Sequence, residues 1–288
     1  MLRRVCQLLL VLVPSLAVGA DGVREINQAA VLAAGGFPYT ISEPGSYQLT
    51  GNLSVPADTS GIVITSDDVV LDLAEFSIRG QGGTGGIGID GAAALNQVIR
   101  NGTIAIMGGT GVRTGSRSRV ERIHAVQNGG DGIATGNRSR VVDCTASING
   151  EDGIDASSQN LVRGSTSRGN AGDGIELALG SVALDNIVLR NGGDGINGNG
   201  NNGSIALRNV VNSNRRNGIA LGLGCLALSN LMTLDFQGDS TLLLLGSSCG
   251  YSLNLMNTNS GTGATLSGGV DLSFHGASNV CDTNTNCP

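Results

Sequence analysis

The sequence predicts an all-β fold: a right-handed parallel β-helix, a solenoid whose coils of about 21 residues each hold three short strands. The first observation is a dipeptide of Gly followed by Val or Ile at intervals of 21 residues, as Gly111-Val112, Gly132-Ile133, Gly153-Ile154, Gly174-Ile175 and Gly195-Ile196. The second is a set of polar columns in the same register. The third is a composition of 47 Gly, four Phe, three Tyr and no Trp, which suits a narrow aliphatic core between tight turns.

Asn and Asp each recur once per coil around that dipeptide. The Asn column comprises Asn128, Asn149, Asn170, Asn191 and Asn214, and the Asp column comprises Asp131, Asp152, Asp173 and Asp194. Parallel strands of successive coils lie about 4.8 Å apart, so equivalent residues stack. Val and Ile then fill the interior, Asn amides bond to one another, and Gly supplies the positive φ of a tight bend. The right hand follows from the usual hand of parallel crossovers.

The repeat divides the chain into four segments. Residues 1–20 combine a basic start, an apolar run and the small residues Val18-Gly19-Ala20, which predicts a secretory signal peptide cleaved after Ala20. The apolar run is shorter than the roughly 20 residues of a membrane span, so we expect a secreted or periplasmic protein with no membrane span after cleavage. Residues 21–60 are predicted to form an N-terminal cap, with a short helix over 25–34, and the first strands. Residues 61–249 form the coils, and 250–288 the C-terminal cap or tail.

Charge excludes one class of partner. The formal net charge is −6 and all 17 basic residues are Arg, with no basic stripe suited to nucleic acid. Arg117 and Arg138 form one column and Arg119 and Arg140 another. We interpret both as an exposed ladder that balances acidic groups elsewhere on the surface. His124 alternates with inward-facing neighbours, which predicts a surface position.

Carboxylates gather at one edge of two adjacent coils. Asp152 and Asp155 stand in one coil, and Asp173 and Glu176 occupy the equivalent positions 21 residues later. Stacking places them about 5 Å apart, where like charges raise one another's pKa or recruit a cation. Three interpretations follow: a Ca²⁺ or ligand-binding site, an acid/base pair acting on a polysaccharide, or Asp side chains that only accept backbone N–H bonds at each bend. The recurrence of Asp in every coil favours the last.

The mature chain would keep five of the six cysteines. Cys144 lies in an inward column, which predicts a buried thiol. Cys225 and Cys249 stand 24 residues apart, about one coil, so a disulfide and a pair of buried thiols fit equally well. Cys281 and Cys287 close a short loop in the tail, and an oxidising exterior favours a disulfide between them.

Several segments share a pattern with a known family. They are Gly-Ser-Tyr-Gln-Leu-Thr-Gly-Asn-Leu-Ser-Val over 45–55, Gly-Ile-Val-Ile-Thr-Ser-Asp-Asp-Val-Val-Leu-Asp-Leu over 61–73, the Asn-Gly-Gly-Asp-Gly-Ile coils, Ser-Gly-Gly-Val-Asp-Leu over 267–272 and Asn-Val-Cys over 279–281. In these segments the chain resembles secreted bacterial right-handed parallel β-helix repeat proteins. The resemblance implies the fold and its hand, and most members of that family have no assigned activity. Ala74-Glu75 stands where many relatives have Asn-Gly, which suggests a different turn.

The sequence contains no catalytic motif, so we favour a secreted non-catalytic protein with a structural, adhesive or ligand-binding surface. Its expected partner is an extracellular polysaccharide or a cell-surface component. The alternative is a carbohydrate-active enzyme of the β-helix type, such as a polysaccharide lyase, epimerase or hydrolase. Near-constant coil lengths from 111 to 216 leave little room for the loops that would build a catalytic cleft, which favours the first hypothesis. No cofactor is expected under it, apart from Ca²⁺ under the metal interpretation of the carboxylates.

Overall fold

A computed structural model of the chain describes residues 22–234, 241–258, 266–267 and 280–281. Within these residues the chain forms a parallel β-helix of 31 short strands and one helix. Each coil adds one strand to a narrow face and a further strand pair, or one longer strand, to a wide face. The predicted fold class is confirmed. The predicted signal peptide over residues 1–20 and the predicted Cys281–Cys287 disulfide lie outside what the described residues can show.

The narrow face is an 11-stranded parallel sheet with one strand from each coil. Its strands are β2 (Tyr39–Ile41), β5 (Ile62–Ile64), β8 (Ile89–Gly91), β10 (Val112–Thr114), β12 (Ile133–Thr135), β15 (Ile154–Ala156), β18 (Ile175–Leu177), β21 (Ile196–Gly198), β24 (Ile219–Leu221), β27 (Leu243–Leu245) and β30 (Leu266–Ser267).

The wide face is a 20-stranded parallel sheet in which two strands of each regular coil meet at a bend. Its strands are β1 (Val23–Ile26), β3 (Gly45–Leu49), β4 (Leu53–Ser54), β6 (Val69–Asp72), β7 (Ser77–Gly82), β9 (Val98–Met107), β11 (Arg119–Val126), β13 (Arg140–Val142), β14 (Thr145–Ser147), β16 (Leu161–Arg163), β17 (Thr166–Arg168), β19 (Val182–Leu184), β20 (Ile187–Leu189), β22 (Ile205–Leu207), β23 (Val210–Asn212), β25 (Leu226–Leu228), β26 (Leu231–Leu234), β28 (Gly250–Ser252), β29 (Leu255–Thr258) and β31 (Val280–Cys281).

Inward-facing residues form one aliphatic core along the solenoid axis. Ile154 and Ile175 are register partners in successive coils, and both are fully buried. Ile133 and Thr135 are also buried while Ala134 between them is less so, as the predicted period-2 alternation requires. Because each side chain packs on its equivalents above and below, the 21-residue period of the sequence becomes the packing period of the core.

The N-terminal helix is shorter than predicted. Helix α1 spans Gln28–Ala33, and the residues before it form strand β1 instead. The side chain of Asn27 caps the helix by accepting a 3.0 Å hydrogen bond from the Ala30 amide. Val23–Ile26 pair with Ser46–Leu49, so the first strand already belongs to the wide face. Val31 is fully buried and joins the helix to the core.

The repeated glycines have a different role from the predicted one. Gly174 does not adopt a positive φ, whereas Arg117 and Arg138, which are not glycines, do. A Cβ on Gly174 would lie 2.5 Å from the carbonyl oxygen of Gly195 in the next coil and 2.3 Å from Cγ1 of Val188. The prediction of left-handed glycine here is wrong, because the position requires Gly for lack of space between coils.

Buried asparagines stack as predicted. The backbone amide and Nδ2 of Asn149 both donate to Oδ1 of Asn170, at 3.0 and 2.9 Å. Asn170 donates in the same way to Asn191, at 3.0 and 2.9 Å. A second ladder runs through Asn209, whose backbone amide and Nδ2 donate to Oδ1 of Asn230. These bonds satisfy polar groups that would otherwise be orphaned inside the solenoid.

The turn at Ala74-Glu75 does not depart from the type that Asn-Gly favours. Both residues have a positive φ, 47° for Ala74 and 66° for Glu75, as a type I′ turn requires at its two central positions. The carboxylate of Asp72 accepts a 2.9 Å hydrogen bond from the Ala74 amide. Phe76 donates its amide to the Leu73 carbonyl at 2.8 Å and closes the turn. The expectation of a different turn is therefore wrong, since local hydrogen bonds hold two less suited residues in the same conformation.

Candidate functional site

The four predicted carboxylates come together at one edge of the narrow face. Asp155 and Glu176 are register partners on strands β15 and β18, and both are half-buried with their side chains pointing outward. Asp152 and Asp173 occupy the preceding bends. Asp131 adds a fifth carboxyl one coil earlier. We call these five residues the carboxylate cluster.

The Asp column is a hydrogen-bonding ladder. Oδ1 of Asp131 accepts the Asp152 backbone amide at 3.0 Å, and Oδ1 of Asp152 accepts the Asp173 amide at 2.6 Å. Oδ1 of Asp173 accepts the Asp194 amide at 2.6 Å, and Asp194 accepts the amide of Asn217 at 2.7 Å. Each Asp therefore links one bend to the equivalent bend of the next coil by accepting a backbone N–H bond. This is the interpretation that the recurrence of Asp in every coil favoured.

Glu176 is the exception in this ladder. One coil later, Asn197 donates its Nδ2 to Oδ2 of Asp173 at 2.6 Å. At the equivalent place Glu176 faces Asp152, and a hydrogen bond between two carboxyl groups requires a proton on one of them. Burial, the hydrogen bond with Asp152 and the neighbouring negative charges raise the pKa of Glu176 to about 7. Burial is also the main cause that raises the pKa of Asp152.

The other carboxyls of the cluster are shifted in the same direction. Burial and nearby carboxylates raise the pKa of Asp131 to about 6. Burial and the charge of Asp152 raise the pKa of Asp155. Near neutral pH the cluster therefore holds protons that separate carboxyl groups would have lost.

The Ca²⁺ hypothesis stays a prediction. In the described part of the chain no group of three or more His, Cys, Asp or Glu residues is arranged to hold a metal ion. Oδ1 of Asp152 and Oδ1 of Asp173 are already acceptors for backbone amides. Oδ2 of Asp173 also accepts a hydrogen bond, from Asn197, so the carboxylate of Asp155 is the least engaged of the four.

The pKa shifts predict a stability that falls as the pH rises. The folded protein holds the Glu176 proton more tightly than the unfolded chain does, so this stabilisation is complete below a pH of about 4.5 and is lost as the pH rises through about 7. Because the carboxyl is only half-buried, we expect solvent screening to limit the effect to about 1–2 kcal/mol. Glu176→Gln should remove it, since a neutral amide can donate to Asp152 as Asn197 donates to Asp173. Urea unfolding between pH 4.5 and 8 measures the difference.

The matched control is Glu25→Gln, which removes the same charge from an exposed strand position far from the cluster. We expect Glu176→Gln to be the more stable protein at pH 8 and the wild type to approach it at low pH, whereas Glu25→Gln should follow the wild type throughout. Parallel pH profiles for all three proteins would show that no proton is shared between Glu176 and Asp152.

A second polar site lies where the narrow face turns into the wide face. It is a groove of about 400 Å³ lined by Ser116, Arg117, Asn137, Arg138, Ser158 and Gln159, together with Leu95. Arg117 and Arg138 are exposed and adopt the left-handed conformation, with φ values of 60° and 59°. Backbone bonds from Arg117 to Asn137 at 2.8 Å and from Arg138 to Ser158 at 2.9 Å hold both positions. We call this site the arginine groove.

The arginine groove carries unbalanced positive charge. Nε of Arg138 donates to Oε1 of Gln159 at 2.9 Å, and this neutral partner does not offset the guanidinium charge. On the adjoining strands Arg119 and Arg140 are register partners, and Arg119 pairs with Glu121. None of the ion pairs among the described residues joins the groove to the carboxylate cluster. The predicted balance between the Arg ladder and the acidic edge therefore involves no direct ion pair among the described residues and stays a prediction.

The Arg columns are evident in the sequence, whereas the groove is not. Its signal was the stacking of Arg117 and Arg138 beside Gln159 in one column, which becomes a groove only through the left-handed bends. His124 is exposed, as predicted. Cys144 is a buried free thiol, as predicted, and burial raises its pKa to about 12.

The open alternative at Cys225 and Cys249 is resolved in favour of the disulfide. The two cysteines are bonded, with their Cα atoms 4.4 Å apart. They occupy equivalent inward positions in successive coils and are nearly or fully buried. The disulfide therefore joins two coils in addition to the backbone ladder.

The outward side of the wide face changes character along the solenoid. Before residue 160 many of its outward positions are polar, as at Thr103, His124 and Thr145. Beyond that point most are aliphatic, at Leu161, Val182, Leu184, Ile187, Leu189, Ile205, Leu207, Val210, Leu226, Leu228, Leu231 and Leu255. We call these twelve residues the apolar face.

Comparison with known proteins supports the fold. The sequence matches the family model described as right handed beta helix region, over residues 52–197 and 85–230. No curated protein matches the sequence significantly. Among the described residues, no helix has the length and hydrophobicity needed to cross a membrane.

Two solved structures are similar to this chain. The Dettilon tailspike protein superposes with a TM-score of 0.52 at 12% identity, covering 82% of this chain and 58% of the tailspike chain. The A-module of a mannuronan C-5 epimerase from Azotobacter vinelandii superposes with a TM-score of 0.49 at 14% identity, covering 80% of this chain and 75% of the module. The chain thus spans little more than half of the tailspike chain, and at these identities the likeness concerns the fold alone.

Proposed function

The chain belongs to the right-handed β-helix family, and we propose that it is a secreted, non-catalytic member whose surface binds an acidic polysaccharide. The observation that carries this proposal is the arginine groove. Guanidinium groups form paired, charge-assisted hydrogen bonds with carboxylates and sulfates, and they keep their charge at every physiological pH. The remaining polar lining, of Ser, Asn and Gln, offers hydrogen-bonding partners for sugar hydroxyls.

The solenoid supports this binding mode through its repeat. Successive coils place Arg117 and Arg138, and likewise Arg119 and Arg140, about 4.8 Å apart. Such a row suits an extended polymer with repeating acidic groups better than a compact ligand. The net charge of −6 means that the groove is a local positive region on an acidic protein, which directs anions to this site.

A binding experiment tests the proposal. The mature protein is passed over immobilised polygalacturonate, alginate and neutral dextran at several salt concentrations. We expect binding to the two acidic polymers only, weakening as salt is added. The double variant Arg117→Gln, Arg138→Gln should bind at least about tenfold more weakly, since each charge-assisted bond contributes about 1.5–3 kcal/mol. Gln suits these positions because Gln159 occupies the same left-handed place one coil later.

The matched control is Arg79→Gln, Arg190→Gln, which removes two exposed guanidinium groups outside the groove. Its binding should equal that of the wild type. If both double variants lose the same affinity, the interaction is a general charge effect and the groove is not the site.

The enzyme hypothesis has one observation in its favour, the proton that Glu176 shares with Asp152. A carboxyl whose pKa is about 7 can act as a general acid near neutral pH, and Asp155 lies one coil away as a second carboxylate. The same polymers are therefore incubated with the protein, with and without Ca²⁺, and examined for unsaturated or shortened products. Product formation that is lost in Asp155→Asn would replace the non-catalytic proposal with this one.

A further inference from the structure

The apolar face presents aliphatic side chains to solvent in stacked rows. Ile187 is 44% exposed, Val210 37%, Leu231 38% and Leu255 45%. They are consecutive register partners, so they form one unbroken column along the solenoid. The columns of Val182 and of Leu184 run beside it on the same surface.

The size of this surface is comparable to the larger apolar patches of monomeric proteins. Aliphatic side chains occupy most of the outward positions in three coils, and Leu161 and Leu255 extend the surface by one residue in the coils on either side. Three coils of about 4.8 Å, each about eight residues wide at about 3.3 Å per residue, cover about 400 Å². Apolar patches on monomeric proteins cover about 300–600 Å², and the largest are often functional. Each partner contributes about 800 Å² to a stable interface, so polar positions at the rim would supply the other half.

The side chains on the apolar face are those of a sheet that packs on another sheet. They are Leu, Ile and Val in parallel rows, with grooves between the rows into which the rows of a second sheet can fit. Aromatic side chains, which anchor proteins at membrane surfaces and dominate many peptide-binding sites, do not occur among the twelve. A flat aliphatic sheet of the same kind is available on a second copy of this chain.

One ion pair lies within the apolar face and indicates the orientation. Nε and a terminal nitrogen of Arg208 bond to Asp185, at 2.7 and 2.9 Å, on neighbouring coils between the two columns of strands. Both side chains remain about half exposed, at 55% and 43%. Consider two copies packed face to face and related by a two-fold axis that lies in the interface, perpendicular to the solenoid axis and level with the midpoint between these two coils. Asp185 of each copy would then lie opposite Arg208 of the other. Parallel copies would instead bring like charges together.

We propose that the chain forms a dimer in which two copies pack their apolar faces together with antiparallel solenoid axes. This interface is separate from the arginine groove and does not depend on the function proposed for it. Its centre is the aliphatic columns, and the crossed pairs of Asp185 and Arg208 satisfy the charges inside it.

Sedimentation of the full mature chain over a range of concentrations tests the dimer. We expect a mass twice that of the monomer, and Val210→Asp should weaken association by about a hundredfold because it places a charge in the buried centre. Thr145→Asp is the matched control, since it adds the same charge at an outward position of the same strand column, two coils before Ile187 and outside the apolar face. It should associate as the wild type does. A wild-type chain that stays monomeric at all concentrations overturns the proposal.

Two further measurements identify the interface. Asp185→Arg alone and Arg208→Asp alone should each associate at least about tenfold more weakly than the wild type, whereas an equal mixture of the two should form mixed dimers, because only the mixture restores opposite charges across the interface. Failure of the mixture to recover overturns the crossed pairs. Vesicles of neutral and anionic phospholipids are tested in parallel. A monomer that binds them through the apolar face, and loses binding in Val210→Asp, would assign the face to a lipid surface instead.

Discussion

Gly174→Ala is expected to lower the free energy of unfolding by about 3–5 kcal/mol, or to prevent folding of the central coils. The added Cβ would lie 2.3 Å from Cγ1 of Val188, 2.5 Å from the carbonyl oxygen of Gly195 and 2.7 Å from Nδ2 of Asn191. Neither the carbonyl nor the amide can move without breaking the ladder between coils. Urea unfolding followed by circular dichroism measures the loss.

Gly85→Ala provides the control for this prediction. A Cβ at Gly85 would meet no atom within 4 Å, and the residue does not have a positive φ. We expect its stability to stay within about 0.5 kcal/mol of the wild type or to rise slightly, because Ala restricts the unfolded chain. If Gly174→Ala were as harmless as Gly85→Ala, the coils would be more loosely stacked than the structure shows.

Asn170→Ala is expected to destabilise the protein by a similar amount, about 3–5 kcal/mol. Asn170 is almost fully buried, and its Oδ1 accepts two hydrogen bonds from Asn149. Its Nδ2, with two N–H groups, lies within hydrogen-bonding distance of three acceptors, on Ala146, Ser167 and Asn191. Its removal leaves buried donors and acceptors on both adjoining coils without partners, each costing about 1–3 kcal/mol when unsatisfied. Thermal and urea unfolding should both report the loss.

Asn202→Ala is the matched substitution at an exposed bend. It should change the free energy of unfolding by no more than about 0.5 kcal/mol, as surface substitutions usually do. Equal effects of the two variants would mean that water enters the solenoid and replaces the bonds of Asn170, and that the Asn ladder is not required for stability.

Asn170 and Gly174 also show which features of the structure the sequence could predict and which it could not. The repeat predicted that Asn170 stacks on its neighbours, and the structure confirms it. In a parallel solenoid with a period of 21 residues, residues 21 positions apart in the sequence lie next to each other in successive coils. The repeat also located Gly174 but suggested the wrong reason for it. A glycine can be required by its backbone conformation or by lack of space. To distinguish the two, one needs the distances between atoms of adjacent coils, which the sequence of one repeat does not provide.

The candidate sites were also predicted only in part from the sequence. The carboxylate cluster was predicted from register, and the structure brings Asp152, Asp155, Asp173 and Glu176 together as expected. The sequence alone did not show why it matters that one coil has Glu176 where the next has Asn197. In the structure each of these side chains faces the Asp of the preceding bend, to which an amide can donate but a carboxyl can donate only when it is protonated. The Cys225–Cys249 disulfide likewise required the distance between the two side chains.

The sequence by itself determined the architecture of this protein: the parallel β-helix, its period, the aliphatic core and the identity of the stacked columns. This was sufficient because each coil repeats the same short-range pattern and contacts only its neighbours. The tertiary structure decided what the surface can do. The arginine groove depends on left-handed bends, and the apolar face depends on which side of each strand points outward over several coils. Both arise from residues that are unremarkable within one repeat and become a site only when the solenoid places their equivalents side by side.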